Sequence, residues 1–201
     1  MIARTLAERL HLPLDLIPFN SAGNVFDALD KGQWDLAFLA VEPERATKID
    51  FSPPYVFIDG TYLVRNSSAY QGVADLDRPG AKIVVGRGAA YDLFLSRTLK
   101  QAELVRAPTS PDAISLFLND KTGTLDAAAG VRQALVDASR GRSDVRVLAD
   151  RYARIDQAIA VPQGRKNAAA YVRQMLEGMK KSGQIRAALN ATGQDGAVVA
   201  P

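Results

Sequence analysis

The chain has no cysteine, which removes thiolate nucleophiles, zinc–thiolate centres and disulfides together. It has a single histidine, His11, in Leu10-His11-Leu12-Pro13. A lone imidazole has no partner for a metal site, so it reads as structural or solvated. No apolar run approaches the roughly 20 residues that cross a bilayer. Charge of one sign is also scarce: Lys and Arg number 25 against 22 Asp and Glu, with only modest basic clusters at Arg140–Arg146 and Arg165–Lys166. A nucleic-acid surface wants a basic stripe with interleaved aromatics, so no nucleic-acid partner is expected. No leader pattern opens the chain. Ile2, Leu6 and Leu10 instead share one face of an amphipathic helix, and the chain is expected to begin in the middle of a fold.

What is present suits a packed domain or two small lobes. Of 201 residues, 47% are hydrophobic and 23% charged, close to the norm for globular proteins; only the tail from Thr192 to Pro201 reads as disordered. Leu14–Phe19 alternates like a short strand, and Asn24–Lys31 reads as a helix stopped by Gly32. Asp35–Val41 is apolar without alternation, as in a strand covered on both faces, with Trp34 and Phe38 taken as core. Tyr55–Arg65 is a long β-rich run, followed by polar Asn66-Ser67-Ser68. Then strands at Ala81–Val85, Leu104–Val105, Leu125–Ala129 and Val145–Leu148 alternate with helices from Ala90, Ser110 and Val131. Ile155–Val161 is a further strand. Helices over Asn167–Met179 and Ile185–Leu189 close the chain, with Tyr171, Met175 and Met179 on the apolar face and Gly183 between them. Strand–helix alternation predicts an α/β fold with mainly parallel sheets.

Two sites of chemistry stand out. Ala40-Val41-Glu42-Pro43-Glu44-Arg45 ends the buried strand in a tight loop. A placed guanidinium there is a fork for a carboxylate. Glu42 suits either a cationic ligand group or the start of a short helix. Gly86-Arg87-Gly88-Ala89-Ala90 follows a strand and opens a helix whose N–H groups suit an anion. It lacks the third glycine of a dinucleotide fingerprint, so no cofactor is expected. Asp50-Phe51-Ser52-Pro53-Pro54-Tyr55 reads as scaffold, since the two prolines hold an extended path.

These pieces, in this order, resemble the type 2 periplasmic substrate-binding proteins of ABC transporters, family 3, the polar amino-acid branch. The likeness rests on Gly32-Gln33-Trp34-Asp35, Pro43-Glu44-Arg45, Ile49 to Tyr55, Tyr62-Leu63-Val64, Ala74-Asp75-Leu76, Ile83 to Gly88, Leu125 to Ala128 and Ile159 to Gly164. It implies a two-lobed clamshell: a discontinuous first lobe (1–65 and 160–201), an inserted second lobe (66–159), a two-strand hinge, and closure on a small ligand. It implies a periplasmic, non-enzymatic protein that passes a carboxylated solute to an ABC permease. In that reading Arg45, Glu42 and Ala40 serve the first lobe, and Arg87, Gly88, Ala89 and Gly130 the second. The family's second-lobe acid is expected a few residues after Asp126, where this chain has Gly130-Val131-Arg132. Either Glu42 replaces that acid or the ligand lacks an amino group; Arg132 is open to a second ligand carboxylate or to solvent. By the same resemblance the chain begins after the usual first strand, so the edge at Leu14–Phe19 is expected to favour self-association. The resemblance also leaves open an enzyme on this fold, such as a dehydratase of a carboxylated cyclohexadienyl substrate, and a detached sensing domain.

Overall fold

The computed structural model describes residues 1–194 and 197–201. The chain divides into two compact units. Unit 1 comprises Met1–Phe19, Val25–Phe57 and Asp156–Pro201; unit 2 comprises Asn20–Asn24 and Ile58–Ile155. The boundaries expected at Arg65 and Ile159 fall earlier, because the long strand after Tyr55 serves both units. Its first residues pair within unit 1 and the rest within unit 2.

The elements are α1 (Ile2–Leu10), α2 (Ala22–Asp27), a 3-10 turn (Leu29–Lys31), β1 (Ala37–Ala40), α3 (Pro43–Ala46), β2 (Ile49–Phe51) and β3 (Val56–Arg65). A second 3-10 turn (Val73–Leu76) precedes β4 (Lys82–Gly86), α4 (Ala90–Thr98), β5 (Glu103–Ala107), α5 (Ser110–Asn119), β6 (Ala127–Val131), α6 (Arg132–Ser139) and β7 (Val145–Val147). The chain closes with β8 (Ala153–Pro162), α7 (Lys166–Lys181), α8 (Gln184–Ala191) and β9 (Val198–Val199).

In unit 1, β8 pairs antiparallel with both β1 and β2, with Phe38 opposite Ile159 and Phe51 opposite Ala160. β9 pairs antiparallel with the start of β3, Val56 opposite Val199. The tail is thus a strand at 198–199, not disorder; residues 195 and 196 lie outside the described residues. Lys180 helps to hold it, donating to the Pro201 carbonyl at 2.7 Å. The core is α7 and α8 against β8: Val172, Met175, Leu176, Met179 and Ile185 pack on Ile159 and Val161. Spacings of three and four, not four alone, put Val172 and Leu176 on the buried stripe, and Tyr171 is left exposed.

Unit 2 carries the sheet order β7-β3-β6-β4-β5. β4 is parallel to β5 and β6, whereas β3 is antiparallel to β6 and β7. The α/β class is as expected, but the pairing is mixed: parallel strands follow the helical crossovers, and the long returning strands β3 and β8 meet their neighbours head to tail. Ile83, Val84 and Val85 are all fully buried, the mark of a strand covered on both faces. Phe117, Leu135 and Val84 anchor this core.

Leu14–Phe19 forms no strand. Pro13 and Pro18 remove ladder donors, and Leu12, Leu14, Leu16 and Ile17 stand exposed. Among the described residues no helix is long and apolar enough to cross a membrane.

Candidate functional site

The seven residues singled out from the sequence fall into two groups, one in each unit. In unit 1, Ala40 ends β1 and is buried. Val41 continues the antiparallel ladder, its N–H donating to the Asp156 carbonyl at 2.9 Å. Glu42 then turns the chain as the N-cap of α3, with Pro43 at the first helical position, where a missing N–H costs nothing. The Glu42 side chain makes no capping bond; it is 7% exposed.

Arg45 lies one turn later and is 1% exposed, heading the largest fully buried side chains. Its Nη1 donates to the Ala40 carbonyl oxygen at 3.0 Å. The turn thus folds back and seats the guanidinium at the carboxyl end of β1. Burial lowers the Arg45 pKa from its ordinary value, and the negative charges of Glu42 and Glu44 oppose that fall. Glu42 and Arg45 are therefore electrostatic partners inside one turn of chain.

β2 and its extension are scaffold, as expected. Ser52 is buried; its N–H donates to the Ile159 carbonyl at 2.8 Å, and its Oγ accepts from the Ile159 N–H at 3.0 Å. Phe38 departs from expectation. It is 38% exposed, on the same face of β1 as Ala40 by the two-residue strand period, and meets the Tyr55 ring edge-on at 6.2 Å. The alternation Ala37-Phe38-Leu39 was the signal for it, masked because every residue in the run is apolar. An open hollow of about 690 Å³ in unit 1 is lined by Val41, Ala46, Asp50, Gln163, Lys166 and Arg173 among others.

In unit 2 the turn after β4 is stiffer than the sequence suggested. The Arg87 N–H donates to the Ala107 carbonyl at 2.9 Å, Ala89 N–H to the Gly86 carbonyl at 3.1 Å, and Gly88 N–H to Asp92 Oδ2 at 2.9 Å. The N–H groups of all three turn residues expected to meet a ligand are thus engaged within the protein. Asp92 is 3% exposed and is paired with Arg106 Nε at 3.0 Å. Gly88 has φ +68°, a conformation side chains resist. A Cβ on Gly86 would lie 2.6 Å from the Ser110 backbone nitrogen, so β4 and the start of α5 touch directly. The Arg87 side chain is exposed.

Gly130 faces Thr61 across β3–β6, and a Cβ there would meet the Leu135 side chain at 3.0 Å, so β6 packs closely on α6. Arg132 is half-exposed but not free. Its Nη1 donates to the Leu148 carbonyl at 2.9 Å and its Nη2 to those of Ala149 and Asp150 at 3.1 and 2.8 Å, with Asp59 at 3.6 Å from Nε. It ties down the loop before β8. Among the described residues no cluster of His, Cys, Asp and Glu could hold a metal ion.

The profile of the bacterial extracellular solute-binding proteins, family 3, matches residues 1–192. The L-cystine-binding protein TcyJ of Escherichia coli K12 is 24% identical over 188 residues, covering 92% of this chain and 69% of its own. A cyclohexadienyl dehydratase of Pseudomonas aeruginosa is 26% identical over 129 residues, 62% of this chain and 47% of its own. Among solved structures, a histidine kinase sensor domain with similarity to periplasmic binding proteins superposes with a TM-score of 0.81 at 24% identity, covering 99% of this chain and 86% of that one.

Proposed function

The chain belongs to the bacterial extracellular solute-binding proteins, family 3, with the fold of type 2 periplasmic binding proteins, and on that premise we propose that it binds a small carboxylate-bearing solute, an amino acid or a relative of one, for an ABC permease. A periplasmic or extracellular location belongs to the same proposal. The observation that carries it is the Arg45 guanidinium, wholly buried and seated on the Ala40 carbonyl. Removing a cation from water costs several kcal/mol, and an apolar side chain would fill the space at less cost. A function for the charge accounts for its retention, and a carboxylate is the partner that a planar guanidinium suits. Ala40, Glu42, Gly88, Ala89 and Gly130 are assigned here as backbone and shape contributors, with the Glu42 charge opposing the burial that lowers the Arg45 pKa.

The test is thermal unfolding with a panel of L-amino acids and small carboxylates. A ligand at 100 times its Kd adds about 2.7 kcal/mol, which raises Tm by roughly 5–10 °C for a chain of this length. Arg45→Gln abolishes that rise; an undiminished rise removes Arg45 from binding. The dehydratase relative favours one second reading, an enzyme acting on a carboxylated cyclohexadienyl compound. Such chemistry needs an acid or base of tuned pKa, and Glu42 is the buried carboxylate beside Arg45. Turnover followed by absorbance, lost in Glu42→Gln, supports this reading; binding without turnover returns the chain to the passive class.

A further inference from the structure

We propose that the hollow in unit 1 binds an α,ω-dicarboxylate with an apolar spacer, held at its two ends by Lys166 and Arg173. The hollow measures about 690 Å³, within the range of small-ligand pockets. Three parts of unit 1 line it: the stretch from Val41 to Phe51, the Gln163-Gly164 turn after β8, and the first half of α7. The α7 wall follows from local sequence. Lys166, Ala169, Ala170 and Arg173 are spaced by three, four and seven residues, so they share one face of the helix. This face lies beside the stripe of Val172, Met175, Leu176 and Met179 that packs on β8, and that packing fixes the wall in place. The two alanines leave a trough between two long cationic side chains. Further apolar lining comes from Ile49, which is buried, and Phe51, which is half-buried.

The charges decide the class of ligand. Asp50 is the one acid among the described residues that line the hollow, and its Oδ2 already accepts from the Gly164 N–H at 3.1 Å. Neighbouring cations are spent: Arg165 on Asp35 at 2.6 Å, Lys48 on Asp30 at 2.7 Å and Lys180 on Glu177 at 2.8 Å. Lys166 and Arg173 differ. Both are exposed, and neither has an ion pair or hydrogen bond with any of the described residues. Arg173 contributes only at a distance to the field at Glu177, whose carboxylate is bonded to Lys180. A rise of 1.5 Å per residue sets the two backbone positions about 10 Å apart along α7. The hollow therefore offers a positive point at each end of an apolar trough. A monocarboxylate engages one end and leaves the other idle. A diacid engages both, Arg173 as a planar fork and Lys166 as a point charge, while its methylene chain covers Ala169 and Ala170. A diamine of the same length is repelled at both ends.

Titration of the intact, isotopically labelled chain with succinate, adipate and suberate, read from backbone amide NMR shifts, tests this. Extended suberate comes close to the span between the cations, and succinate falls well short of it. Each methylene that the trough covers is worth up to about fourfold in affinity, so suberate should bind roughly tenfold tighter than succinate or better. The shifts should centre on Phe51, Gly164, Ala169 and Ala170. The monoamide of suberate keeps the length and loses one charge; it should bind roughly two- to fivefold weaker, the range for an exposed ion pair. Lys166→Gln combined with Arg173→Gln should abolish the preference for the diacid over its monoamide. The double variant should match the parent in Tm, because neither side chain has a partner to lose. An affinity that does not rise with chain length, equal binding of the monoamide, or a preference that survives the double substitution overturns the assignment. Suberate shifts confined to Ala40, Glu42 and Arg45 also overturn it, and leave carboxylate binding at Arg45 standing. The two readings fail separately, since one is read at Arg45 and the other at Lys166 and Arg173.

Discussion

Arg45 and Glu42 show how one turn of chain sets the chemistry of a site. The guanidinium is buried, its ordinary pKa is lowered by that burial, and the Glu42 charge counters the loss. Removing one partner leaves the other buried and uncompensated, which costs about 3–5 kcal/mol. Arg45→Met should show that loss in urea unfolding, and adding Glu42→Gln should recover part of it; additive losses would mean that the two charges do not interact. Close packing at a single atom is tested by Gly86→Ala. Its Cβ would lie 2.6 Å from the Ser110 nitrogen and 2.7 Å from its Cα. Backbone cannot rotate aside as a side chain can, so overpacking should destabilise by about 1–3 kcal/mol. An unchanged urea midpoint would mean that the start of α5 yields.

At the scale of elements, α7 and the segment after α1 are opposites. α7 buries a continuous stripe from Val172 to Met179, and Gly178 lies on its solvent side with nothing within 4 Å of an added Cβ. Gly178→Ala should therefore stabilise by about 0.5–1 kcal/mol, the ordinary helix-interior difference. A loss in thermal unfolding would reveal a packing role for that glycine. The segment Leu12–Ile17 exposes its apolar side chains without strand partners, and apolar surface of this kind marks association. Light scattering should give masses above 21.6 kDa that grow with concentration. Leu14→Glu with Leu16→Glu should return the mass toward the monomer; equal masses for both forms would assign association elsewhere.

Across the whole molecule, ionisation limits stability at both ends of the pH scale. The Asp120 carboxyl is held below its usual value, first by the Thr122 hydroxyl and the Leu125 N–H. Asp77 is held down by the backbone of Gln101, Ala102 and Lys100, and Asp144 by Arg142. A depressed folded pKa contributes stability above the unfolded value of about 4, which is lost as pH falls through the folded one. Tyr55 moves the other way: burial pushes it up to about 12, and burial also raises Tyr62 and Tyr152. A raised folded pKa contributes stability in full below the unfolded value of about 10, which is lost as pH rises beyond it. Tm followed by circular dichroism should be flat between these limits and fall outside them. Asp120→Asn should lower the plateau and soften the acid limb; an identical acid limb would exclude that loop.

Local signals on the chain were enough to place most helices and strands, though not β2 or β9, because apolar periodicity, glycine stops and helix-first prolines act over a few residues. Gly32 ends its turn with φ +61°, and Thr109 and Asp112 form the capping box at α5. The same signals carried the family likeness and the choice of Arg45. Partnership was what only tertiary structure decided. It joined β8 antiparallel to β1 and β2, committed Arg132 to three carbonyls and left Leu14–Phe19, already weakened as a strand by Pro13 and Pro18, as exposed coil. Pairing and charge neutralisation depend on residues as far apart as 16 and 130 positions, and a local pattern holds no record of which distant group arrives.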